Sequence, residues 1–196
     1  MSVRAKTWGW QVLGRCWLTL GARQRAHACW LRACRRDRYL AGLWAALAHH
    51  HAAGQRWGRA LRWQARAARL APSDAATHYN LGYLRERLHD AVGAEAAFRQ
   101  AVALAPSLDQ AWYGWGLSLR RLGRLKEALD AQLRNTQLQP LSPYGWMEVA
   151  RLQAALGQQT AAARTVDHLG GFEPKAARQL AAELWGCPAP RQVAIA

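Results

Sequence analysis

The residues that most suggest metal chemistry in this 196-residue sequence are three adjacent histidines, His49, His50 and His51. Imidazole is a common zinc ligand, but the ligands of one ion must converge on it. Successive residues of a helix point about 100° apart, so three neighbouring histidines on one helix cannot converge. We therefore predict no metal site and no cofactor, and we expect His51 in the core and His49 on an exposed groove.

Catalytic motifs do not occur in the sequence. No Gly-rich phosphate loop follows a strand pattern, and neither HExxH, GxSxG nor a Cys/His nucleophile arrangement is found. The cysteines form no CxxC pair of the kind that binds zinc or exchanges electrons. We interpret Cys16, Cys29 and Cys34 as small hydrophobes in helices, and we expect any free reactive thiol at Cys187. The sequence predicts no catalytic residue and no enzyme activity.

Arginine provides the other chemical feature, a formal net charge of +15. Residues 1–74 contain 14 Lys and Arg but only two acidic residues, so they carry +12 of that charge. Residues three, four or seven apart share one face of a helix, and seven arginines do so here: Arg25, Arg32, Arg35, Arg59, Arg62, Arg66 and Arg69. They predict a continuous basic surface, the arginine patch, on which the phosphates of nucleic acid or an acidic membrane could bind. The alternative is a solvated face that reflects composition bias.

The elements that position these residues follow a period of 34 residues. Asp109–Pro140 illustrates one unit, in which Gln110–Leu122 and Leu125–Leu138 are two amphipathic segments separated by Gly123. Shifting this unit by 34 residues aligns Trp10, Trp44, His78, Trp112 and Trp146, then Ala26, Ala60, Ala94, Ala128 and Ala162, and then Pro72, Pro106, Pro140 and Pro174. Each unit therefore predicts a helical hairpin.

The period and the pattern Trp-x2-Leu-Gly-x2-Tyr…Ala-x3-Phe…Pro are those of the tetratricopeptide repeat (TPR), so the sequence resembles a TPR protein over about nine-tenths of its length. The resemblance implies an all-α fold, a right-handed α-solenoid of antiparallel helical hairpins (TPR superhelix), over residues 1–186. Its repeats would span 7–40, 41–74, 75–108, 109–142 and 143–176. Residues 175–185 would form a helix that caps the last repeat, and 187–196 a disordered tail.

Three departures from the repeat pattern predict local irregularities. Arg38 stands where later units have proline, and Gln64 replaces a large aromatic residue, so packing should be looser at Gln64. Gly170 and Gly171 should end the second helix of the fifth unit early, because glycine is unfavourable inside a helix. The tryptophans at repeat spacing are interpreted as core residues, namely Trp10, Trp44, Trp112, Trp115 and Trp146.

In TPR proteins the first helix of each unit usually lines a concave groove that holds an extended peptide or a partner helix. The resemblance implies that the groove presents Trp8, Gln11, Arg15, His49, Tyr79, Asn80, Tyr83, Arg87, Gln110, Tyr113, Arg120, Arg121, Tyr144, Met147 and Arg151. Tyrosine and arginine are enriched among the residues that dominate binding energy. The subclass that clamps the C-terminal carboxylate of chaperones is not expected, because only Asn80 matches its Lys, Asn and Arg pattern.

Three functions remain open from the sequence. The first is a protein-interaction scaffold or adaptor that acts through the groove, and the second is an anion-binding module that acts through the arginine patch. The third is a repeat segment whose catalytic partner is encoded separately. We find no secretory signal and no run of about 18 apolar residues that could span a bilayer. We therefore expect a soluble, cytoplasmic protein.

Overall fold

The computed structural model describes residues 3–37 and 39–186, with the side chains of 3–8, 11 and 23 excepted. These residues form eleven α-helices and no strand, which confirms the all-α fold. The helices are α1 (Val3–Thr19), α2 (Arg23–Arg36), α3 (Ala41–Ala53), α4 (Trp57–Leu70), α5 (Ala75–Arg87), α6 (Ala91–Leu104), α7 (Asp109–Arg121), α8 (Leu125–Leu138), α9 (Pro143–Ala155), α10 (Gln159–Gly170) and α11 (Pro174–Trp185). The expectations for Arg38, Cys187 and the tail 187–196, and for the side chains of Trp8 and Gln11, lie outside the described residues.

Consecutive helices pack in pairs, which we number as hairpins 1 to 5: α1–α2, α3–α4, α5–α6, α7–α8 and α9–α10. The fold is thus the tandem helical-hairpin arrangement that the period predicted. By internal contacts the chain divides into two compact units, Met1–Ala105 and Pro106–Ala196, called here the N-unit and the C-unit. The N-unit contains hairpins 1 to 3, and the C-unit contains hairpins 4 and 5 with α11.

Small residues allow the two helices of a hairpin to approach closely. A Cβ added to Gly82 of α5 would lie 2.8 Å from the ring of Phe98 on α6. At Gly14 of α1 it would lie 2.4 Å from the indole of Trp30 on α2. Because such distances are shorter than any van der Waals contact, glycine is required for these aromatic rings to fill the interior of their hairpins.

The aromatic residue near the start of units 75–108, 109–142 and 143–176 has a polar role as well as an apolar one. Trp112 Nε1 donates a hydrogen bond of 2.9 Å to the carbonyl of Pro106, and Trp146 Nε1 donates one of 2.7 Å to that of Pro140. His78 makes the equivalent contact, with Nε2 2.9 Å from the carbonyl oxygen of Pro72. This ring nitrogen therefore ties a helix to the end of the preceding repeat, which explains why histidine can replace tryptophan there.

Each repeat tryptophan packs in or against an apolar core cluster, as predicted, but of the five only Trp44 is buried. Trp10, Trp112, Trp115 and Trp146 are half-buried. Trp112 and Trp146 are half-buried because the indole N–H of each must reach a carbonyl at the surface junction between repeats.

The cysteines of hairpin 1 differ in their environment. Cys29 and Cys34 are buried, as expected, but Cys16 is exposed on α1, so its interpretation as a core hydrophobe is wrong. Burial raises the pKa of the Cys34 thiol to about 12. Because the thiolate is the reactive form, Cys34 is inert at neutral pH.

The end of the C-unit is built by α10 and α11. Helix α10 ends at Gly170, as the double glycine predicted. Helix α11 places Ala177, Leu180 and Ala181 in one apolar cluster with Val166 and Leu169 of α10, and the cluster also includes Ala150 of α9. The side chains of α11 thus cover the apolar surface of the fifth hairpin.

Candidate peptide-binding groove

The N-unit contains a cavity of about 120 Å³ between α3 and α5, the first helices of hairpins 2 and 3. Its lining residues come from these helices and from α4: Ala45, Ala48, His49, Ala52, Gln64, Asn80, Tyr83 and Leu84. Three of them, His49, Asn80 and Tyr83, were predicted from the repeat register to line a groove. The cavity brings these three together.

Gln64 explains why a cavity lies at this place. Its side chain is 2% exposed, and Nε2 donates a hydrogen bond of 2.9 Å to the carbonyl of Thr77 on α5. The amide therefore links hairpin 2 to hairpin 3. Gln64 stands at the repeat position that the ring of Phe98 occupies in hairpin 3. The looser packing predicted at Gln64 is present as the cavity beside it.

A cation lies next to the rim of the cavity. The guanidinium carbon of Arg87 is 4.8 Å from the centroid of the Trp57 ring, and that ring makes an edge-to-face contact with Tyr83 at 6.5 Å. Arg87 is exposed, and no carboxylate of the described residues lies within ion-pair distance of it. The contact with the indole restrains the guanidinium and leaves its N–H groups able to bind an anion.

Two other predicted groove residues of the N-unit lie apart from the cavity. Tyr79 is half-buried, and its ring packs against Phe98 with centroids 5.9 Å apart. Tyr79 therefore contributes to the interior of hairpin 3. Arg15 is exposed on α1 and does not line the cavity.

In the C-unit, two of the three predicted groove arginines, Arg120 and Arg151, are neutralised within the protein. Glu148 of α9 is 4% exposed. Its Oε2 forms an ion pair with Arg120 Nη1 at 3.2 Å, with a geometry that is poor for a hydrogen bond. Its Oε1 accepts a hydrogen bond of 2.7 Å from Arg151 Nη1. Arg151 also donates two hydrogen bonds of 2.8 Å to Glu183 on α11. A carboxylate of this chain thus occupies the position on Arg151 where the carboxylate of a ligand would bind.

The electrostatics of this cluster follow from those contacts. Hydrogen bonds from Arg151 lower the pKa of Glu183, and hydrogen bonding to Glu183 raises the pKa of Arg151. Burial, followed by the negative charge of Glu148, raises the pKa of the half-buried Tyr113. These shifts keep Arg151 and Glu183 charged and Tyr113 neutral at neutral pH. The contacts above therefore form an ionic network of two arginines and two glutamates.

Three of the four remaining predicted groove residues of the C-unit are exposed on first helices. Gln110 and Arg121 are exposed at opposite ends of α7, and Tyr144 is 66% exposed near the start of α9. Met147 is half-buried and packs against the apolar cluster formed with α11.

The arginine patch is exposed at six of its seven positions, and Arg66 is the exception. Arg66 is half-buried over the ring of Trp44, 4.4 Å from the centroid, so its predicted place on the exposed stripe is wrong. Arg25 and Arg32 also stack on indoles, those of Trp17 at 4.7 Å and Trp10 at 5.3 Å. Within the described part of the chain, no arginine of the patch forms an ion pair.

The three adjacent histidines, His49, His50 and His51, lie in different environments. His51 is buried and His49 is exposed, as predicted. His50 is also buried, and its ring stacks on that of His27 of α2 at 5.0 Å. Among the described residues, no group of His, Cys, Asp or Glu side chains has a geometry that could hold a metal ion.

Sequence reasoning missed several residues of these sites. Ala48 and Gln64 stand at the repeat positions that Gly82 and Phe98 occupy in hairpin 3. This difference between hairpins 2 and 3 was the one indication of a cavity in the sequence. Trp57, which orients Arg87, and Glu183, which neutralises Arg151, lie outside the residues that the repeat register assigns to a groove. Their contacts depend on how neighbouring helices pack.

Comparison with solved structures identifies the fold. A crystal structure of MamA matches with a TM-score of 0.81 and 18% identity, over 88% of this chain and 94% of that one. The structure of YrrB, described as a TPR protein with an unusual peptide-binding site, matches with a TM-score of 0.80 and 19% identity, over 89% of each chain. A tetratricopeptide repeat protein from Parabacteroides merdae matches with a TM-score of 0.82 and 16% identity, over 93% of this chain and 73% of its own.

The chain therefore has the tetratricopeptide-repeat fold. No protein-family model matches the sequence, and a search of curated proteins found no match. None of the described helices combines the length and the apolar character that crossing a membrane requires.

Proposed function

We propose that the chain is a non-enzymatic protein-interaction scaffold that binds a peptide segment of a partner on the groove side of its first helices. The observation that carries this proposal is the cavity between α3 and α5, which is bordered by exposed His49, Asn80 and Tyr83. Ligand sites are typically concave and mostly apolar, with a few polar groups that fix orientation. The likeness to YrrB supports the proposal, because that protein is described as having a peptide-binding site.

The N-unit is the better candidate for the main contact. Arg87 is next to the cavity and has no acidic partner among the described residues, whereas Arg120 and Arg151 of the C-unit already pair with Glu148 and Glu183. A basic residue that is already neutralised gains little from a ligand carboxylate. Tyr113, Arg120 and Tyr144 would therefore make secondary contacts.

Selection from a random dodecapeptide library displayed on phage, with the full chain as bait, tests the proposal. Enriched peptides should bind wild-type protein and lose affinity with Asn80→Ala or Tyr83→Ala, because truncating an interface hot-spot residue costs about 2 kcal/mol or more. Tyr39→Ala is the matched control, since Tyr39 is exposed in the N-unit and does not line the cavity. Tyr79→Ala should also lower stability, because Tyr79 packs against Phe98.

Two results would contradict the proposal. One is a selection that enriches no peptide. The other is a set of enriched peptides whose affinities are unaffected by both Asn80→Ala and Tyr83→Ala.

A second candidate function is anion binding by the arginine patch. It is favoured by the stacking of Arg25 and Arg32 on tryptophans, which restrains the side chains while their N–H groups can still contact phosphate. If the patch binds nucleic acid, a labelled duplex should bind at low salt and dissociate as salt rises, and Arg59→Glu with Arg62→Glu should flatten that dependence. No binding at low salt would exclude nucleic acid as the partner of the patch.

A further inference from the structure

The cavity between α3 and α5 depends on one pair of residues, Ala48 and Gln64. At the same positions in hairpin 3, Gly82 faces Phe98, and a Cβ on Gly82 would come within 2.8 Å of the ring. Ala48 carries such a Cβ, so an aromatic side chain at position 64 would collide with it. Gln64 instead reaches Thr77 on α5 through its 2.9 Å hydrogen bond. The cavity lies beside both residues.

The lining of the cavity suits an aliphatic side chain. Ala45, Ala48 and Ala52 of α3 contribute methyl groups, and Leu84 of α5 contributes a larger apolar surface. An apolar cavity of about 150 Å³ accepts a benzene molecule. A cavity of about 120 Å³ is therefore suited to a smaller group, such as the side chain of leucine, isoleucine, valine or methionine.

The surroundings of the cavity also specify a charge. Arg87 follows Tyr83 by four residues on α5, so the two side chains lie on the same face of that helix. Tyr83 lines the cavity, and the edge-to-face contact between Tyr83 and Trp57 places the stacked guanidinium of Arg87 beside it. An Asp or Glu of a ligand could pair with this guanidinium without displacing a carboxylate of the described residues.

We propose that the cavity is the anchor site for an acidic peptide segment of a partner protein. One aliphatic side chain of the peptide enters the cavity, and a neighbouring Asp or Glu pairs with Arg87. Asn80, exposed at the rim, is placed to hydrogen-bond the peptide backbone. This assignment rests on the proposed peptide-binding function and adds the class of peptide that is recognised.

The test uses the full chain and the same random dodecapeptide library. Enriched peptides should share an aliphatic residue close to an Asp or Glu. Replacing that aliphatic residue by alanine should weaken binding at least about tenfold, because the burial of one such side chain is lost. Arg87→Gln should weaken binding and reduce its dependence on salt.

Filling the cavity should abolish binding without unfolding the protein. Ala52→Leu places a larger side chain in the cavity, and Ala53→Leu adds the same group at an exposed position outside the lining, which makes it the matched control. A second route is Ala48→Gly with Gln64→Phe, which reproduces the pair of hairpin 3. Helical circular dichroism should be unchanged in all three proteins.

Each outcome distinguishes this assignment from the broader function. If peptides are enriched but lack an aliphatic residue, or if Ala52→Leu and the double variant bind as tightly as wild type, the anchor site is wrong and peptide binding stands. If the enriched peptides are basic, the assignment of Arg87 is wrong. If no peptide is enriched, both the anchor site and the proposed function are wrong.

Discussion

His51 shows how a single buried residue makes stability depend on pH. Its side chain is 4% exposed, and its pKa is lowered from 6.5 to about 4 by burial and by the positive charge of Arg56, with smaller effects from His27, His50 and Arg59. Burial and Arg56 lower the pKa of His27 as well. The folded N-unit therefore favours the neutral forms of His27 and His51.

The direction of the pH effect follows from where the proton binds. Between pH 6.5 and about 4, His51 takes up a proton in the unfolded chain but not in the folded one. The free energy of unfolding should therefore be highest above pH 6.5 and fall as the pH is lowered, by at most about 1.4 kcal/mol per pH unit for this residue. Thermal melts of the full chain between pH 7 and pH 4 measure the slope.

His51→Leu should flatten that slope, because leucine cannot be protonated. Leucine is compatible with the position, since Leu119 occupies the equivalent site two repeats later and is fully buried. His49→Gln is the control, because it removes an exposed imidazole and should leave the slope unchanged. An unchanged slope in His51→Leu would show that the pH dependence arises elsewhere.

At the scale of the helical elements, the turn inside each hairpin has one fixed requirement. The backbone adopts a positive φ at the same repeat position in all five hairpins: Gly21, Gln55, His89, Gly123 and Gly157. In hairpin 2 the neighbouring Gly54 has a φ of −94°, and Gln55 takes the left-handed conformation instead. Two of the five turns therefore hold a side chain in a conformation that favours glycine.

Gln55→Gly and His89→Gly should each stabilise the protein. The left-handed conformation costs about 1–2 kcal/mol for a residue with a side chain, and the greater freedom of glycine in the unfolded chain offsets about 0.4–1 kcal/mol of that gain. We expect a net increase of roughly 0.5–1 kcal/mol in the free energy of unfolding, measured by urea denaturation. The reverse change, Gly123→Ala, should destabilise. A decrease on Gln55→Gly would mean that its side chain contributes more than its backbone costs.

At the scale of the whole molecule, the 34-residue period predicted structural features that recur from hairpin to hairpin. It did not predict contacts that occur at one place only. Hairpin order and the buried alanines follow from the period, and so does the polar contact of the first aromatic residue, which His78 keeps when it replaces tryptophan. The period could not predict the ion pair between Arg151 and Glu183, because the two residues lie on separate helices, α9 and α11. The helical register also predicted Arg66 on an exposed stripe, because register alone does not show that the Arg66 side chain packs on the ring of Trp44.

The same distinction applies to the candidate site. Register identified His49, Asn80 and Tyr83, because the groove side of a first helix is a property of the repeat. The cavity depends on the combination of Ala48 with Gln64, which hairpin 2 alone has among the five hairpins, and on the neighbouring methyl groups. A structure was needed to show that these departures from the pattern leave space for a ligand.

The last prediction concerns α11 as the cap of the C-unit. Its apolar face buries Leu180 against Leu169, and two polar contacts reinforce it: the Arg151–Glu183 pair and a 3.1 Å hydrogen bond from Trp185 Nε1 to Gln159. Deleting residues 175–196 would expose Val166 and Leu169, and each buried side chain of this size contributes about 1.5–3 kcal/mol.

Because each repeat is stabilised by its neighbours, the loss of α11 should make hairpin 5 unfold first. We expect a lower Tm, by roughly 2–4 °C for each kcal/mol lost, together with aggregation through the exposed apolar surface. Deletion of 187–196 alone is the control and should leave the melting curve unchanged. A 175–196 deletion that melts like the full chain would show that α11 does not act as a cap.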